Sequence, residues 1–490
     1  MSLGSSIRNS AAWLLGGSAA VQIFQFLFGI VLARLLVPAD FGMLVTVQIF
    51  TGIASFVAGA GMGQALIRWK EVNDHDFHAV FTFQLLVGLG IYATFFTTSR
   101  WFASYFGNPL YADLMRVSAL YFLLRPFGNL ANVWLTREMR FRQKIIIEFW
   151  GTLLTGALSI SMAWMGFKVW SLVFGGMIAS VITIVWMLTV IPVRPRLRLD
   201  LAVVKRLGGY GFRTTVNDFV DYLRRQTANF VLSRIGGPTV VGLYNKADSL
   251  ARAPMLVARS VYDPIFRSMS KVQDDKDQCR YVYFRTIALL AVYMLPIVVG
   301  LAWIAEPLVL FLYGTKWVDA GKPLSILCLV GALACVRSPA GAVLAAQNWL
   351  GREVFVHLSN LLLIAVAAYF GLQWGLVGVA WGILAAQAFG TIYMTLLVKL
   401  CIGARYSQLV RSVAPGLVLN LTLVAALVAT DALLPAGLAA SRPSAYLMIV
   451  VSAGIGTYLL AFLFAPISSL RSEQERWKRK AVLLLSRAGS

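Results

Sequence analysis

The chain has 490 residues, of which 59% are hydrophobic and 13% are charged, and its formal net charge is +22. A soluble protein of this length would carry about 25% charged residues and fold into several domains. The apolar residues instead occur in blocks of about twenty or more, the length that crosses ~30 Å of hydrocarbon. The composition therefore predicts a polytopic membrane protein and excludes an ordinary soluble one.

The positive charge lies mainly between the apolar blocks, so it indicates membrane orientation and an anionic partner rather than nucleic acid. None of the four cysteines belongs to a CxxC motif or a Cys/His cluster, so neither a disulfide framework nor a metal site is predicted. The chain also lacks a GxxxxGK(S/T) phosphate loop, which argues against a transporter that hydrolyses ATP itself. We therefore expect a protein that is not an enzyme, with no catalytic residue and no cofactor.

The apolar blocks predict an all-α integral membrane protein with fourteen transmembrane helices. No clear small-residue cleavage site follows the first block, so we expect a retained helix rather than a signal peptide. The predicted spans cover residues 11–34, 41–66, 78–99, 112–134, 145–165, 169–191, 209–234, 240–266, 283–304, 323–347, 355–371, 375–398, 412–433 and 444–466.

Lysine and arginine are concentrated in the connections after spans two, four, six, eight, ten and twelve, and in the C-terminal tail. By the positive-inside rule these segments are cytoplasmic, and because the number of predicted spans is even, both termini lie on the cytoplasmic side of the membrane. The basic connection PVRPRLRLDLAVVKRLG divides the first twelve spans into six and six. The predicted domains are a first lobe (1–191), a basic cytoplasmic linker (192–208), a second lobe (209–398), two further helices (399–466) and a basic cytoplasmic tail (467–490).

One segment occurs twice in the chain. VLARLLVPADFGML joins spans one and two, and VLSRIGGPTVVGLY joins spans seven and eight, so that Pro38 coincides with Pro238 and Gly42 with Gly242. A weaker sequence similarity relates WSLVFGGMI, at the start of span six, to WGLVGVAWG, at the start of span twelve. Because six spans separate the copies, the repeat is parallel and predicts two six-helix lobes related by a pseudo-twofold axis, an architecture suited to alternating access.

Charged side chains occur inside several predicted spans, where each costs ~2.5–3.5 kcal/mol and normally faces a polar cavity or a partner. In spans seven and eight their spacing places them in stripes on one helix face, which we expect to line a cleft. Positive charges outnumber negative ones, and guanidinium groups bind phosphate in a bidentate manner, so the cleft suits a phosphate- or pyrophosphate-linked sugar. The candidate substrate-binding residues are Arg252, Arg259, Arg224, Arg225, Arg125, Arg337, Lys246, Arg213 and Arg116, and the candidates for ion coupling or charge pairing are Asp218, Asp221, Asp248 and Asp263.

A structural interpretation of these charges stays open beside the functional one. Asp221 with Arg225, and Asp248 with Arg252, are i,i+4 pairs that could simply neutralise each other. Arg125 precedes a proline, so it could contact cargo or cap the carbonyls that the proline frees. The aspartates could also bind Na⁺ or H⁺ as a coupling ion, although no carboxylate cage is evident.

Several segments resemble a known family. They are RNSAAWLLGG and VLARLLVPADFGML near the N-terminus, LTREMRFRQK after span four, VVGLYNKADSLARAPM and DPIFRSMSKVQDD in span eight, and EPLVLFLYGTKWVDAGKPLSIL after span nine. In these segments the chain resembles the Wzx-type polysaccharide flippases, in the branch that exports colanic-acid-like exopolysaccharide units. This branch belongs to the MOP superfamily, together with the MATE exporters and MurJ.

The resemblance implies a V-shaped pair of six-helix lobes with two extra helices, working by alternating access. It implies that the cargo is an undecaprenyl-pyrophosphate-linked oligosaccharide, flipped from the cytoplasmic to the periplasmic leaflet for exopolysaccharide or lipopolysaccharide biosynthesis. It also implies an ion gradient as the energy source and a monomer working beside a polysaccharide polymerase. In QTANFVLSR, however, Ala228 stands where the family pattern has an aspartate, so the family's ion site is not carried over.

Other functions remain open at this point. A MurJ-like lipid II flippase would suit the same charges, whereas a MATE-like exporter of small cations fits a cationic cleft poorly. A membrane glycosyltransferase or polymerase usually has a sizeable periplasmic loop, and the longest one predicted here is the short connection 305–322. A scaffold of the polysaccharide assembly machinery would not need charges at bilayer depth.

Overall fold

The computed structural model describes residues 3–59, 61–69, 71–255 and 265–488, and it contains helices but no strands in these ranges. The side chains of residues 3–15, 209–218, 350, 468 and 480–488 lie outside that description. The chain divides into two compact units, Met1–Gly242 and Leu243–Ser490.

The first unit is built from nine helices and the start of a tenth. They are α1 (Leu3–Leu35), α2 (Pro38–Gly59), α3 (Met62–Arg68), α4 (Asp74–Phe106), α5 (Leu110–Ala119), α6 (Tyr121–Arg137), α7 (Phe141–Trp164), α8 (Val169–Val190), α9 (Leu201–Ile235) and α10 (Gly237–Ala251), which continues into the second unit.

The second unit continues with eleven helices in the described ranges. They are α11 (residues 265–271), α12 (Lys276–Tyr293), α13 (Leu295–Trp303), α14 (Ala305–Tyr313), α15 (Gly321–Ala346), α16 (Leu350–Gly371), α17 (Gly375–Ile402), α18 (Tyr406–Leu433), α19 (Leu438–Ser441), α20 (Pro443–Phe464) and α21 (Arg471–Ala488). Short 3-10 turns at Thr315–Ala320, Leu372–Trp374 and Ser468–Leu470 connect some of them.

Ten helical stretches of the described chain are long and apolar enough to cross a membrane, and one of them, Gly351–Ile402, includes both α16 and α17. The prediction of an all-helical, multi-pass membrane protein is therefore confirmed, while the number fourteen remains a prediction. The ten stretches do not include predicted spans four, seven and eight, which carry most of the intramembrane charges.

Four predicted spans are also interrupted. Span two is divided between α2 and α3, and span nine is divided between α12 and α13 at Met294. Span four is divided between α5 and α6 at Leu120. Span eight was expected to be one helix over residues 240–266, but α10 ends at Ala251 and a turn follows at 252–254. Pro254 accounts for this end, because proline has no N–H to donate and disfavours helical geometry in the residue before it. The expected charged stripe over a continuous helix is therefore broken after Arg252.

The basic linker 192–208, whose role as a boundary between two lobes remains a prediction, belongs to the first unit and is bonded to α4. The N–H of Arg198 donates to Thr82 Oγ1 at 2.8 Å, and Arg206 Nη2 donates to Asp76 Oδ1 at 2.6 Å. His75 Nε2 donates to Asp200 Oδ2 at 2.8 Å. These bonds attach the linker to the first turns of α4, and α9 then packs on α2, α3 and α4.

The two copies of the repeated segment occupy equivalent places and contact each other. The first copy contains the end of α1 and the start of α2, and the second contains the end of α9 and the start of α10. A Cβ added to Gly42 would lie less than 3.0 Å from the carbonyl oxygen of Pro238, and one added to Gly242 equally close to that of Pro38. The first turns of α2 and α10 therefore meet backbone to backbone.

Candidate functional site

A polar cavity of about 550 Å³ lies within the first unit, among α1, α6, α7 and α8. Glycine allows two of these helices to approach closely beside it, because a Cβ on Gly151 of α7 would lie 2.6 Å from Thr183 Oγ1 of α8. Most of its lining is polar and includes Gln25, Tyr121, Arg125, Asn129, Asn132, Glu148, Thr152, Thr155, Ser180 and Thr183.

Arg125 brings a positive charge to this cavity. Its Nη1 donates to the carbonyl oxygen of Ser55 at 2.9 Å. Among the described residues, no carboxylate oxygen lies within the 4.0 Å of an ion pair with its guanidinium. Arg125 therefore does cap a carbonyl, as the structural interpretation allowed, but on α2 rather than on its own proline-containing helix, and its charge is left without a carboxylate partner.

Amide side chains continue the network around the end of α2. Gln84 Nε2 donates to the carbonyl oxygen of Gly59 at 3.4 Å, and Asn129 Nδ2 donates to Gln84 Oε1 at 2.8 Å. The last carbonyls of a helix have no partner within it, so these donors satisfy groups that would otherwise be exposed to a membrane interior. Asn132 Oδ1, which is buried, has no hydrogen-bond partner among the described residues.

The negative charge of the cavity is Glu148 of α7. Its Oε1 lies 3.9 Å from Lys144 Nζ, one helical turn earlier, which is the outer limit of an ion pair. The Glu148 side chain keeps 43% of its surface exposed. One wall of the cavity therefore carries an accessible carboxylate, while another carries the guanidinium of Arg125.

A second charged cluster lies on α9. Asp221 accepts hydrogen bonds from Arg224 Nη2 at 2.6 Å and from Arg225 Nη2, so two guanidinium groups share one carboxylate and the cluster keeps a net positive charge. Arg224 Nε is buried without a partner among the described residues. The neighbouring Tyr222 donates its hydroxyl to the carbonyl oxygen of Gln48 on α2 at 2.9 Å.

The other predicted site residues have individual surroundings. In the first unit, Arg116 Nε donates to Ser99 Oγ at 2.8 Å and its Nη1 lies 3.4 Å from Asp113 Oδ1. In the second unit, Arg252 Nε donates to Asp248 Oδ2 at 2.7 Å, and Arg337 Nη1 donates to Gln387 Oε1.

Lys246 and four further predicted residues complete the set. Lys246 Nζ lies over the rings of Tyr313 and Trp317, at 5.2 and 5.9 Å from their centroids. Arg259 and Asp263 lie outside the described residues, and the side chains of Arg213 and Asp218 on α9 do so too. The contact of these residues with cargo remains a prediction.

Comparison with known proteins identifies the family. The family described as polysaccharide biosynthesis protein matches residues 31–322 of the chain. The chain belongs to this family. The stretch that matches includes Arg125, Glu148 and Asp221, and all of the cavity lining except Val21 and Gln25.

Curated relatives of this polysaccharide biosynthesis protein are similar over most of their length. The lipopolysaccharide biosynthesis protein WzxC of Escherichia coli (strain K12) is 24% identical over 84% of this chain and 85% of its own. The succinoglycan biosynthesis transport protein ExoT of Rhizobium meliloti (strain 1021) is 24% identical over 66% of each chain. The resemblance to the Wzx-type proteins is therefore confirmed.

Solved structures support the fold. The lipid II flippase MurJ in an inward closed conformation has a TM-score of 0.69 at 16% identity, covering 91% of this chain and 97% of its own. An inward-facing MATE family transporter of the MOP superfamily has a TM-score of 0.63 at 16% identity, covering 78% and 94%. The predicted similarity to the MurJ and MATE fold is confirmed.

Sequence reasoning identified Arg125 but missed the amides that accompany it. Gln84 and Asn129 become partners only through packing of α4 against α6, which spacing along the chain does not reveal. A signal was available in Asn129 and Asn132, two amides one helical turn apart within an apolar segment and close after Pro126. Polar groups in such a segment normally face a cavity or a partner helix.

Proposed function

We propose that this protein moves an oligosaccharide linked to undecaprenyl pyrophosphate across the bacterial inner membrane, from the cytoplasmic to the periplasmic leaflet. Membership in the polysaccharide biosynthesis family supports this function, as do relatives named for lipopolysaccharide, succinoglycan and teichuronic acid biosynthesis. The protein acts as a transporter by alternating access, with fourteen spans arranged as two six-helix lobes and two further helices, and with both termini in the cytoplasm.

The observation that carries the proposal is the position of Arg125. A cation at bilayer depth is costly unless a counter-charge accompanies it, and no described carboxylate pairs with this guanidinium. A pyrophosphate group supplies the missing negative charge and accepts bidentate hydrogen bonds from guanidinium. Arg125 thereby lowers the free energy of the anionic headgroup inside the membrane, which is the largest barrier to its crossing.

The rest of the cavity suits the sugar part of such a cargo. The hydroxyl oxygens of Thr155 and Thr183, whose hydrogens go to carbonyls of their own helices, and the unpartnered Asn132 Oδ1 offer acceptors, while the hydroxyl of Thr152 can donate or accept. When the sugar enters the cavity, its hydroxyl groups lose hydrogen bonds to water and form similar bonds with these side chains. The free-energy cost of removing the sugar from water is therefore offset. A lining of short polar side chains holds many sugars without selecting one, as a carrier of a large headgroup requires.

The energy source in this proposal is an ion gradient, with Na⁺ or H⁺ as the coupling ion. Glu148 is the accessible acid of the cavity, and its approach to Lys144 is loose enough for the carboxylate to bind a proton or a monovalent cation. Protonation or Na⁺ binding at Glu148 removes a negative charge near the anionic cargo. The protein works as a monomer beside a polysaccharide polymerase.

The test is transport by the purified full-length protein in liposomes. Fluorescent lipid-linked oligosaccharide is placed in both leaflets, and a membrane-impermeant quencher reports what crosses, with and without Na⁺ or pH gradients. We expect Arg125→Gln to lower the rate at least tenfold and Arg125→Lys to keep part of it. Arg100→Gln, an exposed arginine of α4 outside the cavity, is the matched control.

Two results would contradict the proposal. One is a folded Arg125→Gln protein that transports at the wild-type rate. The other is a wild-type protein that moves no lipid-linked oligosaccharide but expels a cationic dye from the same vesicles, as a small-cation exporter would. Replacing the oligosaccharide carrier by lipid II in the assay distinguishes the proposed cargo from the MurJ-like alternative.

A further inference from the structure

The second unit contains an apolar groove of about 440 Å³, away from the charged residues discussed above. It lies among α12, α13, α18 and α20, and its lining includes Tyr293, Gly300, Ile304, Leu427 and Tyr458. Tyr293 and Ile304 are eleven residues apart, which corresponds to about 17 Å at the rise of an α-helix. This length is close to half of the ~30 Å hydrocarbon core, that is, to one leaflet.

The C-terminal helix α21 is attached at the Tyr293 end of this groove. Trp477 Nε1 donates to the Tyr293 hydroxyl at 3.0 Å, and that hydroxyl lies 3.5 Å from Glu473 Oε2. Glu473 Oε1 also accepts from Arg285 Nη2 at 3.1 Å. Gln474 Nε2 donates at 2.8 Å to the carbonyl oxygens at the end of α20. The helix is therefore docked through one face, and Tyr293 belongs both to the groove and to the docking contact.

The exposed side chains of α21 are mainly basic. Arg471, Arg476, Lys478 and Arg479 are exposed, whereas Glu475 is the exposed acid of the described part of the helix. Glu475 Oε2 lies 3.8 Å from Arg479 Nη2, and Lys478 Nζ lies over the ring of Phe464, so the net charge of this exposed surface stays positive. Trp477, which marks the groove end, keeps 45% of its surface exposed. An amphipathic helix with basic side chains and a tryptophan is typical of the boundary between headgroups and acyl chains, where each cation near an anionic surface contributes about 1 kcal/mol.

We propose that the groove and α21 together bind one anionic phospholipid, with one acyl chain in the groove and the phosphate on the basic side chains of α21. The leaflet-deep groove matches an acyl chain, whereas a polyprenyl carrier chain is several times longer. The positive charge beside the Tyr293 end selects an anionic headgroup over a zwitterionic one. The bound lipid bridges α12, α18, α20 and α21, so it stabilises the second unit independently of the cargo.

Glycines provide a pair of variants that separates groove filling from general damage. Gly300 lines the groove, and a Cβ there would meet nothing within 4 Å, so Gly300→Leu places a side chain in the groove without a backbone clash. Gly456 on α20 has equally open surroundings but does not line the groove, so Gly456→Leu is the control. Arg476→Gln with Arg479→Gln removes charge from α21 and leaves its docking residues intact.

The experiment measures lipid binding to the purified, delipidated full-length protein by native mass spectrometry and by thermal unfolding. The probes are phosphatidylglycerol and phosphatidylcholine with identical acyl chains. We expect wild type to retain one phosphatidylglycerol at least tenfold more tightly than phosphatidylcholine and to unfold at a higher temperature with it. Gly300→Leu should abolish this retention, Gly456→Leu should keep it, and the double arginine variant should bind both lipids alike.

Three results would overturn the proposal. The first is equal binding of the two lipids by wild type. The second is an equal loss of binding in Gly300→Leu and Gly456→Leu. The third is displacement of phosphatidylglycerol by a tenfold lower concentration of undecaprenyl phosphate, which would assign the groove to the carrier chain instead. None of these readouts depends on transport. A negative result for the lipid site would therefore leave the proposed transport function standing, and the reverse also holds.

Discussion

Gly42 lies against the carbonyl oxygen of Pro238, too close for any side chain on Gly42 to fit between them. The same relationship holds between Gly242 and Pro38. In each copy of the repeated segment, the glycine therefore packs against the first helical turn of the other copy. A Cβ at either glycine would meet backbone atoms, which cannot rotate away as the end of a flexible side chain can. The spacing of proline and glycine in the two copies is thus explained by their contact with each other.

Replacing Gly42 by alanine should separate these helix starts. Overpacking of this kind costs about 1–3 kcal/mol, and we expect a lower unfolding temperature together with slower transport. Thermal unfolding of the purified protein and the liposome assay provide the measurements. Gly176→Ala in α8 is the control, because a Cβ there would meet nothing within 4 Å. An unfolding temperature for Gly42→Ala at or above that of Gly176→Ala would contradict the inferred contact.

Tyr222→Phe tests the contact between α9 and α2. The hydroxyl occupies the space left by Gly52, where a Cβ would lie less than 3.0 Å away, and it donates to the carbonyl oxygens of Gln48 and Ile49 at 2.9 and 3.1 Å. Its removal should lower the free energy of unfolding by about 0.5–1.5 kcal/mol, the usual net contribution of such a bond. Urea titration in detergent measures the change, and an unaltered stability would show that the bond contributes nothing.

The cluster of Asp221 with two arginines predicts non-additive stability. Asp221→Asn leaves both guanidinium groups without their carboxylate and should destabilise by about 1.5–3 kcal/mol, as expected for hydrogen bonds to charged groups. Adding Arg225→Gln removes one surplus charge, so the double variant should be more stable than the sum of the single effects implies. Strict additivity in the double-mutant cycle would mean that Asp221 and Arg225 do not interact in solution.

Acid should weaken the attachment of the basic linker. The imidazole of His75 and the N–H groups of Val203 and Ala202 hold the pKa of Asp200 below its ordinary value of 3.8. A lowered pKa means that the carboxylate stabilises the fold at neutral pH and that this contribution disappears as the pH falls below 3.8.

Asp200→Asn isolates that effect, because asparagine is an equally good N-cap for α9 but does not titrate. We expect wild type to be more stable than Asp200→Asn at neutral pH, and we expect the difference to shrink on acidification. Thermal unfolding of both proteins over a pH series provides the measurement. A difference that is the same at every pH would rule out the carboxylate as its source.

Local patterns predicted the helices and their nearest charge pairs well. The end of α1 at Leu35 and the start of α2 at Pro38 agree with the repeat, and the pairs Asp221–Arg225 and Asp248–Arg252 are present as their i,i+4 spacing suggested. These features depend on residues within about one helical turn, so the sequence contains the information needed to predict them.

Features that depend on residues far apart in the chain could not be predicted in the same way. Arg125 contacts Ser55, seventy residues away, and the linker is attached to α4 through pairs such as Arg206 with Asp76. No periodicity along the chain reports which helices pack together, so the polar cavity and its amides became visible only in three dimensions. The break in span eight was predictable in principle from Pro254, whose effect on helix geometry is local.

The contact between the two copies of the repeated segment has the form of an isologous interface, in which each partner presents the same patch to the other. Such interfaces usually join identical subunits, but here both patches belong to one chain and are 200 residues apart. A change at Gly42 therefore alters the surface against which Pro238 rests, and a change at Gly242 does the same for Pro38. The two distant segments are consequently under a shared constraint, and each limits the substitutions that the other can accept during evolution.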